Sequence, residues 1–198
     1  WDLLFRSQIG FSMCFLEEMW SRNLGHLFVS PLRPHEFIIS MIVVSCLRGF
    51  FGLLPSWILA FVFFEFSIFS YGLGIVAFFS CLMVMGWSLG MIVIAVVLRF
   101  GLGAESLAWV AIFAFAPISA VYYPVETLPA WLQIVAWCTP SAYVFEGMRS
   151  VLIDNIFQYD LLLGAILVNI VYLFAGIFVF AFSFQGARKQ GKLLQTGE

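Results

Sequence analysis

Glu146 and Arg149 are the ionisable residues whose surroundings in the sequence are most unusual. They lie three positions apart, so both side chains share one face of a helix. The stretch that contains them, residues 122–149, is otherwise largely apolar. An exposed ion pair contributes about 0 to 1 kcal/mol, whereas a charge left alone in an apolar segment costs several kcal/mol. We therefore predict a buried pair, and a solvated pair without function is the alternative.

The other residues that could support catalysis are scattered. His26 and His35 share one polar loop without a second ligand pattern, and Glu65 lies in an apolar run without a paired carboxylate. The four cysteines lie far apart and show no C-x-x-C spacing (Cys14, Cys46, Cys81 and Cys138). A polytopic membrane enzyme acting on lipids needs a nucleophile and base, or a metal cluster, at membrane depth. That function remains the alternative, but we expect no catalytic residue and no metal site.

Three prolines divide the apolar stretch 122–149. Pro124, Pro129 and Pro140 each interrupt helical hydrogen bonding, so the longest unbroken helix is predicted over residues 130–139. Such a helix covers about 15 Å, half of a hydrocarbon core of about 30 Å. The stretch therefore predicts a re-entrant helical hairpin that enters the membrane from one face, is surrounded by protein, and returns.

The composition is that of an integral membrane protein. Of the 198 residues, 63% are hydrophobic and 10% are charged, and the mean hydropathy is +1.05. A soluble domain carries about 25% charged residues. The apolar runs are unbroken and too long for the alternating strands of an outer-membrane barrel. The fold class predicted is therefore all-α, a polytopic helical membrane protein.

The apolar runs define a single transmembrane domain. We predict the end of a span (1–16), a cytoplasmic loop (17–35), three spans (36–66, 72–98 and 106–121), the hairpin with an outer loop (122–159), a last span (161–184) and a cytoplasmic tail (185–198). The run 36–66 exceeds the roughly 20 residues that a span requires. It is either one long helix bent near Pro55 or an interfacial segment that ends at Arg48 and precedes a span. In both versions Arg48 is expected to snorkel to the inner surface or to face the bundle interior.

Two local patterns indicate helix contacts. Leu24, Leu27 and Phe28 are spaced i, i+3, i+4 in the polar loop, which predicts a short amphipathic helix. Such a helix can lie on lipid, pack under its own bundle or fill a groove in a partner. Gly86 and Gly90 are small residues four apart, a common pattern that lets two helices approach closely.

The distribution of lysine and arginine predicts the orientation. If the spans alternate, six cations share one side of the membrane (Arg22, Arg33, Arg99, Arg188, Lys189 and Lys192), and Arg149 lies on the other. This excess puts the loop 17–35 and the tail in the cytoplasm, with the chain in the inner membrane. The hairpin and the acidic residues around it are then extracytoplasmic.

Three segments of the chain resemble one family. The loop LEEMWSRNLGHLFVSPLRPHE, the hairpin YYPVETLPAWLQIVAWCTPSAYVFEGMR and the tail ARKQGKLLQTGE resemble the permease subunit of type 2 ATP-binding-cassette (ABC-2) exporters, in the multidrug, polysaccharide and lipo-oligosaccharide branches. The resemblance covers essentially the whole chain. These permeases have six spans after an interfacial helix, so the chain is expected to be truncated at its N-terminus.

The resemblance implies roles for two groups of residues. The loop would be the coupling helix that sits in a cleft of the nucleotide-binding subunit, through Glu17, Glu18, Trp20, Arg22, Asn23, Leu24, Leu27, Phe28 and Pro31. The hairpin would form an outer gate, through Tyr122, Tyr123, Pro124, Leu128, Pro129, Pro140, Glu146 and Arg149.

The resemblance also implies the activity and the partners. The chain would form the path for a drug-like, lipid-linked or polysaccharide substrate, as a homodimer or heterodimer of permeases among membrane lipids, with no nucleic acid. The sequence contains no G-x-x-x-x-G-K-[ST] loop. ATP and Mg are therefore expected in the partner subunit and no cofactor in this chain. An ion-driven transporter would show inverted repeats and midplane charges, which the sequence does not show clearly.

Overall fold

The computed structural model of the chain describes residues 1–25, 33–64 and 73–189. In these residues every regular element is helical. We number the α-helices α1 (Asp2–Trp20), α2 (Pro34–Phe64), α3 (Leu73–Phe100), α4 (Leu107–Phe115), α5 (Ala130–Trp137), α6 (Pro140–Arg149) and α7 (Tyr159–Lys189). Short 3₁₀ turns at Leu102–Ala104, Ala116–Ile118 and Val125–Thr127 and a π-turn at Ser150–Asp154 connect some of them. The all-α prediction is confirmed.

α1 ends in a Schellman motif, the hydrogen-bonded turn that closes many helices. The backbone N–H of Asn23 donates to the carbonyl of Glu18, and that of Arg22 donates to Met19, at 3.0 and 3.2 Å. Arg22 occupies the left-handed position of this motif with φ of 58°, where glycine is the usual residue. The geometry fixes the direction in which the chain leaves α1.

α2 is one continuous helix that runs through Pro55. Its start carries Pro34 at the first helical position, where the missing N–H is tolerated. The Glu36 carboxylate accepts the backbone N–H of Arg33 at 2.8 Å, as in a capping box. This run is therefore one helix, as in the first of the two versions, and its bend near Pro55 stays a prediction.

α3 is the central helix. Of its most apolar window 72% is buried, against 22% for each of α2 and α7. α3 packs against α1 on one side and α7 on the other. A Cβ added at Gly86 would lie 2.6 Å from Ser7 Cβ, and one at Gly90 would lie 2.8 Å from Phe11 Cδ1. The close approach predicted from these glycines is confirmed, and α1 is the partner helix.

Two apolar clusters occupy opposite ends of the bundle. The first includes Leu4, Ile75, Phe78, Ile112 and Val144. The second includes Phe15, Leu24, Phe37, Ile94 and Phe184. Leu4 and Phe15 are about 16 Å apart along α1 at 1.5 Å per residue. We call the first end, which carries α5 and α6, the hairpin end. The second, formed by the end of α1, the start of α2 and the ends of α3 and α7, is the loop end.

Three helices in the described part of the chain are long and apolar enough to cross a membrane: His35–Phe63, Gly74–Phe100 and Tyr159–Ala187. The span predicted over 106–121 is shorter in the structure. There α4 has nine residues and continues only as the 3₁₀ turn Ala116–Ile118. Nine residues rise about 13 Å, less than half of a hydrocarbon core. The α-helix ends here because Pro117 has no backbone N–H to donate.

Candidate functional site

The hairpin consists of α5 and α6 joined by a tight turn. α5 ends at Trp137, two residues before the predicted end, because the Thr139 hydroxyl and backbone N–H both donate to the Ala136 carbonyl, at 2.7 and 2.8 Å. The extended Thr139 precedes α6, which starts at Pro140. The eight residues of α5 cover about 12 Å. This length fits a helix that enters an apolar layer without crossing it.

Glu146 and Arg149 form the ion pair that their spacing predicts. Arg149 Nη1 lies 2.9 Å from Glu146 Oε2, and the side chains are 24% and 19% exposed. Nη1 is buried and has no hydrogen-bond acceptor in the part of the chain that the structure describes, so its contact with Glu146 is an ion pair without hydrogen-bond geometry. It is therefore a partly buried ion pair, and each charge obtains its hydrogen bond elsewhere.

Each charge also binds the backbone that leads into the hairpin. Glu146 Oε1 accepts the backbone N–H of Val125 at 2.7 Å, and Arg149 Nη2 donates to the carbonyl of Ala120 at 3.1 Å. Ala120 is fully buried and has φ of 58°, a conformation that costs a non-glycine residue about 1 to 2 kcal/mol. We call these four residues the clasp. It holds residues 120–125 against α6.

Side-chain spacing did not identify the two backbone partners in the clasp, Ala120 and Val125. The i, i+3 spacing identifies Glu146 and Arg149 but contains no information about Ala120 or Val125, which are more than 20 residues earlier. Charge-assisted hydrogen bonds to backbone groups are stronger than neutral ones. The clasp is therefore a tertiary contact and not only a contact within one helical turn.

The other predicted gate residues have different surroundings. Tyr122 is 73% exposed, whereas Leu128 is buried beside Val125. The Tyr123 hydroxyl donates to the Pro117 carbonyl. The three prolines are placed at element starts: Pro124 precedes the 3₁₀ turn, Pro129 precedes α5, and Pro140 begins α6. Gln133, which sequence reasoning did not select, donates to the Leu128 carbonyl at 2.8 Å.

α6 fixes the hairpin to the bundle. It packs against α3 and α7, and Val144 is fully buried in the cluster at the hairpin end. A Cβ at Gly147 would lie 2.3 Å from Phe78 Cζ, so this position admits no larger residue without movement. The clasp therefore connects residues 120–125 to a helix that is itself held by the central helix.

The predicted coupling residues at the end of α1 make contacts within the chain. Glu17 accepts two hydrogen bonds from Arg48, at 3.0 and 2.8 Å, and Glu18 accepts one from Asn23 at 2.7 Å. Arg48 therefore joins α2 to α1. Trp20 is 44% exposed.

Leu24 requires a correction. It was predicted as part of the face that anchors a partner, but it is 3% exposed and packs in the cluster with Phe15 and Phe37. The i, i+3, i+4 spacing identifies an apolar face without telling which protein covers it, and at Leu24 the chain covers it itself. Leu27, Phe28 and Pro31 lie outside the described residues.

A small polar network joins three helices inside the bundle. Ser45 of α2 donates to the Ser7 carbonyl of α1 at 2.9 Å and accepts from the indole N–H of Trp87 of α3 at 3.3 Å. Gln8 is fully buried and donates to Ser12 at 3.3 Å. Sequence reasoning missed this network, because isolated serines in apolar runs show no functional spacing. The Ser45 hydroxyl therefore links α1, α2 and α3 at one level of the bundle.

The comparisons with known proteins agree with this architecture. A family model described as "ABC-2 type transporter" matches residues 3–153, which include α1 to α6. No curated protein gives a significant match. Because the matched residues are more than half of the chain, the chain belongs to the ABC-2 type transporter family.

Proposed function

We propose that the chain is the permease subunit of an ATP-driven exporter and forms the path for a drug-like, lipid-linked or polysaccharide substrate. The observation that carries the proposal is the family match over residues 3–153, which coincide with a helical bundle and an apolar hairpin. The family makes the chain a membrane transport subunit. The export direction and the cargo come from the resemblance of its loop, hairpin and tail to ABC-2 exporters.

The loop end is the proposed contact with a nucleotide-binding subunit, in which ATP and Mg are bound. Two features would transmit a movement of the loop 17–35 to the helices of the bundle. The Schellman motif at Arg22 fixes the loop to α1, and the Glu17–Arg48 pair fixes α1 to α2. Trp20, the last residue of α1, has an apolar side chain that is exposed. A Trp of this kind is a typical anchor in a partner groove.

The hairpin is the proposed outer gate. The clasp fastens residues 120–125 to α6, so opening the path requires either that the whole hairpin moves or that the clasp breaks. The partial burial of Glu146 and Arg149 makes breaking it costly, because each charge would lose its partner in apolar surroundings. We infer that residues 120–125 and α6 move together.

A second permease completes the proposed path. The outward faces of α2 and α7 carry many exposed apolar side chains, such as Phe51, Val62, Val171 and Phe178. Lipid covers part of this surface, and a second copy of this chain or a similar permease covers the rest. The proposed assembly is a homodimer or heterodimer of permeases with two nucleotide-binding subunits.

The loop end is proposed to face the cytoplasm from the inner membrane. Arg22, Arg33, Arg99 and Lys189 all lie at this end and are exposed, whereas Arg149 at the hairpin end is engaged in the clasp. The excess of cations supports this orientation by the positive-inside rule.

Co-purification tests the contact with the nucleotide-binding subunit. The two proteins are expressed together, the permease is captured from detergent-solubilised membranes, and the retained partner is quantified. We expect Trp20→Ala to reduce the retained partner at least tenfold, since central Trp anchors often contribute more than 2 kcal/mol. The matched control is Trp131→Ala, a Trp on α5 at the hairpin end that is 68% exposed. Equal retention by wild type and Trp20→Ala would remove the coupling assignment from Trp20.

A further inference from the structure

A groove between the ends of α3 and α7 lies at the loop end of the bundle. It has a volume of about 340 Å³ and is lined by residues that include Leu98, Arg99, Phe182, Gln185, Gly186 and Lys189. The candidate spans end at Phe100 and Ala187, so the groove lies where apolar helix gives way to polar chain. This is the depth at which the headgroups of a lipid leaflet lie.

The charged side chains among the described lining residues are cationic. The side chains of Arg99 and Lys189 line it and are exposed, and no acidic side chain is among the described residues that line it. Gln185 adds an amide that can donate hydrogen bonds. Two cations and an amide donor at the membrane surface suit a phosphate group.

The apolar part of the groove favours a lipid over a soluble phosphate as the ligand. Phe182 is 69% exposed and lies about one helical turn before Gln185 and about two turns before Lys189, toward the membrane interior. Leu98 forms part of the opposite wall. An acyl chain would cover Phe182, whereas inorganic phosphate would leave it uncovered. Basic pockets between helices at this depth are typical sites for anionic lipid headgroups.

We propose that this groove binds the phosphate headgroup of an anionic phospholipid from the adjacent leaflet, with Arg99 and Lys189 as its counter-charges and Phe182 against its acyl chain. The lipid joins the ends of α3 and α7. Its lining residues belong neither to the loop 17–35 nor to the hairpin, so its test is independent of the proposed transport function.

Native mass spectrometry of the detergent-purified chain measures the binding. Dioleoyl phosphatidylglycerol is titrated against dioleoyl phosphatidylcholine, and inorganic phosphate forms a third arm. We expect phosphatidylglycerol to bind preferentially. Each cation near a membrane surface contributes about fivefold in affinity to an anionic lipid. The double variant Arg99→Gln/Lys189→Gln should therefore bind phosphatidylglycerol about 25-fold more weakly.

Gly186→Leu tests the groove without changing any charge. A Cβ at Gly186 meets no atom within 4 Å, so the helix tolerates a side chain there, and leucine would fill the groove. We expect this variant to lose the bound phosphatidylglycerol while keeping its thermal unfolding midpoint. The matched control is Arg33→Gln, an exposed cation of the same end outside the groove, which should bind as wild type does.

Three results would overturn the proposal. Equal binding of the two lipids by wild type would exclude a headgroup site. Phosphatidylglycerol binding that falls equally in Arg33→Gln and in the double variant, or survives Gly186→Leu, would reduce the effect to general surface charge. Competition by millimolar inorganic phosphate as strong as that by the lipid would assign the site to a soluble anion.

Discussion

The Glu146 carboxylate and the Val125 backbone N–H, 21 residues apart in sequence, are joined by a hydrogen bond of 2.7 Å. Glu146 thereby performs two tasks, since its other oxygen lies 2.9 Å from Arg149. A carboxylate shared between a backbone donor and a cation fixes the chain entering the hairpin and neutralises the cation at the same position. The clasp is the link between the turn before α5 and the helix that anchors the hairpin.

The first prediction concerns loss of one charge of the clasp. Glu146→Gln keeps an oxygen for Val125 but leaves Arg149 without its counter-charge. We expect the free energy of unfolding to fall by about 2 kcal/mol, between the values for exposed and for fully buried pairs. The measurement is unfolding of the purified protein in mixed micelles by denaturing detergent. The control is Glu126→Gln, which changes an exposed carboxylate and keeps the backbone carbonyl that accepts from Gln133; it should leave stability unchanged.

The second prediction concerns exchange of the two charges. In Glu146→Arg/Arg149→Glu the attraction between the side chains remains, so spacing alone would predict recovery. The geometry predicts the opposite, because a guanidinium would face the Val125 N–H and a carboxylate would face the Ala120 carbonyl. We expect the exchanged protein to be no more stable than Glu146→Gln in the same unfolding assay. Recovery of wild-type stability would show that the backbone bonds are dispensable.

The third prediction concerns the contact between α1 and α3. Gly86→Ala would bring a Cβ to 2.6 Å from Ser7 Cβ and 3.0 Å from the Gln8 nitrogen, so the helices must separate. We expect a loss of about 1 to 3 kcal/mol of stability, as in overpacked cores. The control is Gly49→Ala in α2, where an added Cβ meets no atom within 4 Å. It should be neutral or stabilising. If the two variants unfold alike, the helices are not in close contact at Gly86.

The fourth prediction concerns Arg22 at the end of α1. Its φ of 58° is unfavourable for arginine by about 1 kcal/mol and free of strain for glycine. We expect Arg22→Gly to raise the thermal unfolding midpoint by a few degrees, whereas Arg22→Lys, with the same backbone strain, should not change it. A lower midpoint for Arg22→Gly would mean that the arginine side chain stabilises the turn more than its conformation destabilises it.

Much of the fold follows from patterns of residues that are close together in the sequence. Long apolar runs identify α2, α3 and α7, prolines mark the starts of the hairpin elements, and Gly86 and Gly90 mark a close helix contact. Each of these features depends on the type and spacing of neighbouring residues, so it can be predicted from the sequence alone.

What the sequence does not state is which groups meet across the chain. Nothing near Glu17 indicates that its partner is Arg48, 31 residues later, and nothing near Glu146 indicates Val125. Leu24 has the spacing of a partner-binding face, yet it is covered by the chain's own core. The Ser45 hydroxyl reaches the Ser7 carbonyl and the Trp87 indole only because α1, α2 and α3 pack closely together. Such contacts depend on the tertiary arrangement, so local pattern cannot assign them.

Thiol labelling at Cys138 tests most directly whether ATP used in a separate subunit drives movement of the hairpin. This cysteine is exposed in the turn between α5 and α6, and the other three, Cys14, Cys46 and Cys81, are replaced by alanine. The labelling rate is measured in proteoliposomes that contain the nucleotide-binding subunit, with Mg and ATP and again with ADP. We expect the rate to change severalfold with ATP and to be insensitive to nucleotide when the partner is omitted. An identical rate with ATP and ADP, while the partner hydrolyses ATP, would show that ATP hydrolysis does not move the hairpin.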